Sequence, residues 1–87
     1  TNPCTLIVKI LNELVQTKLD DGNEFFDRSN LEIVSIDVDN KTNNLIPNHS
    51  EARFNIRFNN QHTVQSLTTL VHEICKKYAN EYLLEII

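Results

Sequence analysis

Residues 41–58 read KTNNLIPNHSEARFNIRF, and the reading of this stretch decides the fold. Asn43 and Asn44 precede the apolar pair Leu45 and Ile46. Pro47 then fixes φ and withholds an N–H donor, which predicts a rigid turn. From Ala52 the pattern alternates: Ala52, Phe54, Ile56 and Phe58 fall on one side of an extended chain, with Arg53, Asn55, Arg57 and Asn59 on the other. One side is a core face and the other is free to bind. Two amides and a guanidinium fork down the strand are suited to an anion, above all a carboxylate. Taken singly, each residue also has a plainer role, since Asn pairs are ordinary turn formers and an Arg on a polar strand face is usually just solvated.

Working outward, Leu31–Val38 (LEIVSIDV) is rich in β-branched residues and predicts a strand with apolar residues on both faces. Leu31 and Ile33 point one way, and Val34, Ile36 and Val38 the other. A strand in so small a domain has one core to face, so the second row implies either a subunit contact or a bulge that switches faces. Asp39–Ser50 is the connection, and Ala52–Asn59 the next strand. A first helix is predicted over 3–19, capped by Asn2 with Pro3 behind it and carrying Leu6, Ile7, Ile10, Leu11, Leu14 and Val15 on one stripe. The only glycine, Gly22, is expected to end it. Phe25 and Phe26, in the loop 23–30, are expected to plug the end of the core. Thr63 caps a second helix whose inner stripe is Val64, Leu67, Leu70, Val71, Ile74, Cys75 and Tyr78, with Lys76 and Lys77 near its end. Tyr82–Ile87 (YLLEII) predicts a last strand. The order αββαβ is a βαββαβ ferredoxin-like unit lacking its first strand, an α+β fold with two helices on one face of an antiparallel sheet.

Composition narrows the function classes. Eighty-seven residues make one domain that buries roughly 60–65% of its unfolded surface. A net charge of −4 with eight scattered Lys and Arg argues against nucleic acid. No apolar run approaches the roughly 18 residues of a membrane span, and no signal-peptide pattern is present. Cys4 and Cys75 lack any paired or ligand spacing, which points to free thiols in a reducing cytoplasm. A chain starting on Thr suggests a fragment. His49, His62 and His72 lack metal-site spacing, and Asp20, Asp21, Asp37 and Asp39 read as solvated or capping groups. With one glycine there is no phosphate loop, and no nucleophile motif is present. On its own residues the chain is not an enzyme.

NNLIP (43–47) and FNIRF (54–58), with DDGNEFF (20–26) upstream and Asn2-Pro3 opening a helix, resemble the di-zinc metallopeptidase and deacylase family that includes acetylornithine deacetylase and aminoacylase. The resemblance runs from Asn2 to about Ile87 and covers only the family's inserted dimerisation (lid) domain, which is residues 1–87 here. GNEFF points to the desuccinylase branch. That branch implies hydrolysis of N-succinyl-LL-2,6-diaminopimelate to succinate and diaminopimelate in lysine and cell-wall precursor synthesis. The resemblance also implies a catalytic domain, outside this chain, with two zinc ions activating water, and none bound by residues 1–87. It implies a homodimer whose lid supplies substrate-binding groups to the partner subunit's site: Asn43 and Asn44 as donors and Arg57 as a carboxylate fork. The family's lid histidine, in a GHxAYP-type segment expected before Asn2, is not among the 87 residues. Relatives carry a Gly before the Asn pair where this chain has Asp39-Asn40-Lys41-Thr42, and Asn40 in a left-handed conformation would preserve the turn.

The expected dimer contact comprises Leu6 and Ile10 of the first helix with Leu31, Ile33, Val34, Ile36 and Val38 of an edge strand. The missing strand belongs between Tyr82–Ile87 and the strand Ala52–Asn59, so either those two close up or a neighbouring chain fills the gap. The near alternative in function is the lid of acetylornithine deacetylase or a related aminoacylase. A rival from another class is a non-enzymatic ferredoxin-like module binding a small ligand.

Overall fold

The computed structural model describes residues 2–43 and 45–87. Asn44 therefore lies outside the described residues, as does Thr1. Four elements follow in order: α1 (Pro3–Gln16), β1 (Asn30–Asp37), β2 (Glu51–Arg57) and α2 (Val64–Tyr78). Their arrangement is α+β, with one antiparallel hairpin and two amphipathic helices contributing to a single core.

Both helix starts follow from local hydrogen bonding. The Asn2 side chain accepts from Cys4 N–H at 2.9 Å, with Pro3 at the first helical position. Thr63 and Ser66 form a reciprocal capping box, each side chain satisfying the other's N–H. The end of α1 differs from the sequence reading. The helix stops at Gln16, and Thr17 closes it by donating its N–H to Glu13 and Leu14 carbonyls while its hydroxyl bonds Glu13 O. A hydroxyl that can bond the last turn ends the helix before Gly22 is reached. Gly22 has φ of 78° but serves the following loop, where a Cβ would stand 2.7 Å from Arg28 N and 2.8 Å from Phe26 O. Only glycine fits that approach.

β1 and β2 pair from Asn30↔Arg57 to Asp37↔Glu51, with a register irregularity between Ile33 and Ser35. A bulge is therefore present, with Val34 lacking a partner in the register, but it does not carry the second apolar row into the core. Leu31 and Ile33 of β1, and Ala52, Phe54 and Ile56 of β2, pack on a core of Leu11, Leu14, Val71, Ile74 and Cys75. Val34 and Ile36 remain 57% and 56% exposed. On α2 the expected inner stripe holds from Leu67 to Tyr78, but Val64 is exposed because it stands in the first turn, ahead of the packed region.

Two further expectations are corrected. Tyr82–Ile87 forms no strand. Tyr82 and Leu84 still face the core while Leu83 and Glu85 point out, so the period is that of a strand, but no described residues before α1 supply a strand for it to pair with. Nor does it close up against β2, since among the described residues the sheet is β1–β2 alone. Phe25 and Phe26 do not plug the core; they are 79% and 48% exposed. The Asn23 carboxamide accepts from both of their N–H groups at 2.9 Å, turning the loop on itself and leaving the rings outside. No helix among the described residues is long and apolar enough to cross a membrane.

Leu14, 3% exposed at the centre of the helix pair, is the most deeply buried apolar side chain of this core. Leu14→Ala is expected to cost about 2–5 kcal/mol, read as a lowered midpoint in urea unfolding with an unchanged slope.

Candidate functional site

The outer face of the hairpin carries the polar half of the β2 alternation. In the observed register Asn30 stands opposite Arg57 and Glu32 opposite Asn55, and these four side chains line a cleft of about 240 Å³. All four are exposed. Among the described residues neither Arg57 nor Glu32 is engaged in an ion pair; the three that exist join Lys18 to Asp21, His62 to Asp20 and Lys77 to Glu13. Arg57 is thus a five-donor fork, in no ion pair among the described residues, that lines a polar cleft.

Asn43 lies at the other end of the hairpin, exposed in the connection between the strands. From Glu51 to Arg57 the strand advances six residues, roughly 20 Å at about 3.3 Å per step. The structure does not bring Asn43 and Arg57 together, and the two could only grip different parts of an extended ligand. Asn40 organises this connection, though not in the way the sequence suggested. No described non-glycine residue has positive φ, so Asn40 is not left-handed. Its side chain instead donates to Leu45 O at 2.9 Å and accepts from Thr42 N–H and hydroxyl. An Asn amide bridging a loop substitutes for the turn that a glycine would make.

The Arg57 end is fixed by a group that sequence reasoning treated as solvated or capping. Asp20 is buried, its side chain 5% exposed. Its Oδ1 accepts from Gly22 N–H at 2.8 Å, Asn59 Nδ2 at 2.9 Å and Ser29 N–H at 3.0 Å. Ser29 in turn accepts from Asn59 N–H through its hydroxyl at 3.1 Å. Ser29 immediately precedes Asn30, and Asn59 follows Arg57 by two residues, so one carboxylate ties down the start of β1 and the exit of β2 together. His62 closes the cluster from α2's approach, its Nε2 2.7 Å from Leu19 O and 3.5 Å from Asp20 Oδ2. A carbonyl can only accept, which puts a proton on that nitrogen. Hydrogen bonding by Ser29, supported by Asn59 and Gly22, holds the Asp20 carboxyl far below the usual carboxylate range against the opposing push of burial. The signal in the sequence was an Asp two residues before the chain's only glycine, a spacing suited to a side-chain turn around Gly22.

The remaining polar contacts are structural. Glu13 on α1 accepts from Lys77 Nζ at 2.7 Å and Tyr78 hydroxyl at 2.6 Å, clasping the two helices, and Lys77 first and Tyr78 second lower its pKa. His72 bonds the Tyr82 hydroxyl at 2.8 Å, tethering the C-terminal segment. Both cysteines are free, and burial pushes the Cys75 thiol up. Among the described residues no three His, Cys, Asp or Glu side chains are grouped to hold a metal.

Comparison with known proteins gives a family model described as Peptidase dimerisation domain that matches residues 1–83. Curated relatives named succinyl-diaminopimelate desuccinylase match along most of the chain. Those of Rickettsia rickettsii (strain Sheila Smith) and Rickettsia massiliae (strain Mtu5) are each 53% identical over 81 residues, 93% of this chain and 21% of the relative. That of Rickettsia felis is 54% identical over 77 residues, 88% of this chain and 20% of the relative. The chain spans about a fifth of the length of the curated relatives it matches.

The Asp20 cluster has a pH signature. An unfolded Asp takes up its proton near pH 3.9, whereas the folded carboxyl resists protonation to much lower pH. Its stabilisation is complete above about pH 4 and drains away as pH falls below that. Asp20→Asn is expected to lower stability at neutral pH and to flatten the loss between about pH 4 and pH 2, measured as urea midpoints across that range against wild type.

Proposed function

Because the chain belongs to the Peptidase dimerisation domain family, we propose that it is the dimerisation (lid) domain of a zinc-dependent desuccinylase acting on N-succinyl-LL-2,6-diaminopimelate in the cytoplasm, and that it completes the partner subunit's active site. The observation that carries this reading is the 53% identity along 93% of the chain to proteins named for that activity. The Arg57 fork supports it further, since the substrate ends in carboxylates. On this reading Arg57 binds a substrate carboxylate, while Asn43 and Asn44 donate to substrate amide or carboxylate oxygen at a separate point. The two zinc ions belong to the catalytic domain. On this reading the chain's own part is to bind and orient the substrate.

The same reading makes the chain a homodimer through α1 and the β1 edge. Of the residues named for that contact, Ile10, Leu31 and Ile33 pack on the chain's own core. Val34 and Ile36 are the large apolar groups of β1 left in water, so the contact is centred on them, with Leu6 and Val38 beside. A strand edge carrying unpaired backbone groups and an exposed apolar pair is a surface that a symmetric copy can cover.

Two experiments on the full-length enzyme carrying this domain test the reading. Arg57→Lys keeps the charge and loses the planar two-bond grip, so kcat/KM for succinate release is expected to fall about 10–100-fold, the equivalent of roughly 1.5–3 kcal/mol. Unchanged kinetics would remove Arg57 from the site. Ile36→Lys is expected to convert a dimer to a monomer in light scattering, and a variant that stays dimeric would take this strand out of the contact.

A further inference from the structure

The cleft around Arg57 holds an unpaired acid as well as an unpaired base, and a single carboxylate would use only one of them. Glu32 is diagonal to Arg57 across the hairpin, since Asn55 faces Glu32 and Arg57 lies two residues further along β2. Diagonal cross-strand neighbours stand roughly 7–8 Å apart. Both side chains line the same 240 Å³ cleft, and neither makes an ion pair among the described residues. Asn30 and Asn55 complete the lining with neutral amides that can donate or accept.

From this juxtaposition we infer that Glu32 and Arg57 form a two-point clamp for an α-amino acid group, Arg57 taking the carboxylate and Glu32 the ammonium. Both side chains reach over the same cleft, so an α-carboxylate held by Arg57 leaves its neighbouring ammonium within reach of the Glu32 carboxylate. The inference rests on the proposed function and adds which end of the substrate sits here. N-succinyl-LL-2,6-diaminopimelate is acylated at one α-amino group and free at the other, so only the free end presents both charges. Glu32 thereby becomes a specificity residue, rewarding substrates whose far end keeps an ammonium over those that carry a carboxylate alone.

The test compares two substrates on the full-length enzyme carrying this domain: N-succinyl-LL-2,6-diaminopimelate and N-succinyl-2-aminopimelate, which lacks only the distal ammonium. Wild type is expected to prefer the first in kcat/KM, and Glu32→Gln to reduce that preference about 10-fold or more by lowering activity on the first substrate alone. Glu32→Asp, which keeps the charge, should retain the preference, and Arg57→Lys should lower both activities together. If Glu32→Gln leaves the ratio of the two unchanged while wild type is active, the clamp is overturned and the desuccinylase reading stands. If wild type hydrolyses neither, the desuccinylase reading falls and the clamp with it.

Discussion

The Asp20 carboxylate is the constraint on which the geometry of this domain depends. One buried oxygen collects donors from Gly22, Ser29 and Asn59, residues spread over 38 positions of the chain. An ionised acceptor holding several donors is among the stronger polar arrangements available to a small protein, and removing it leaves those donors unmet. Through it the loop after α1, the start of β1 and the exit of β2 become one unit, and Asn30 and Arg57 are presented at fixed places on a hairpin that has only two strands. A two-stranded sheet by itself is marginal in water. Here the carboxylate secures one end, and the helix pair covers the inner face.

That division also explains what the surface is for. Among the described residues the central buried cluster is small, five residues from the two helices with a ring of half-buried neighbours, and large apolar side chains stay in water on β1 and in the 23–30 loop. A domain that buries so little of its own apolar surface gains from association, which a dimerisation role supplies. On the proposed reading the polar outer face of the hairpin is left for ligand, with Arg57 and Glu32 in no ion pair among the described residues.

Much of this was legible in the sequence. Helix starts at Asn2 and Thr63, the two central strands and the helical stripes, apart from exposed Val15 and Val64, follow from capping chemistry and period, because those signals are local. Other features were not legible, some because a distant partner decides them and some because a local side-chain turn does. Tyr82–Ile87 has a strand's alternation but no neighbour to pair with, and period alone does not provide one. Phe25 and Phe26 look like core residues, yet the Asn23 turn carries their rings outward. Asp20 looks like a surface acid until Asn59, 39 residues on, is seen to reach it. In the candidate site, the alternation holds from Ala52 to Arg57 and placed Arg57 on the polar face, but it fails at exposed Phe58 and at Asn59, which turns in to Asp20; Glu32 escaped notice because cross-strand register is not written in either strand alone.

The central claim is that this domain serves the active site of the other subunit, and a subunit-mixing assay tests it most directly. Full-length subunits carrying Arg57→Ala are mixed, under conditions that exchange protomers, with subunits whose catalytic domain is inactivated and whose lid is intact. If the lid acts across the dimer, the mixed species contains one site with a working catalytic domain and a working Arg57. Succinate release should then rise well above that of either parent, toward half the wild-type rate per hybrid dimer. Activity that never exceeds the sum of the two parents, with hybrids shown to form, would contradict the account and return Arg57 to its own subunit.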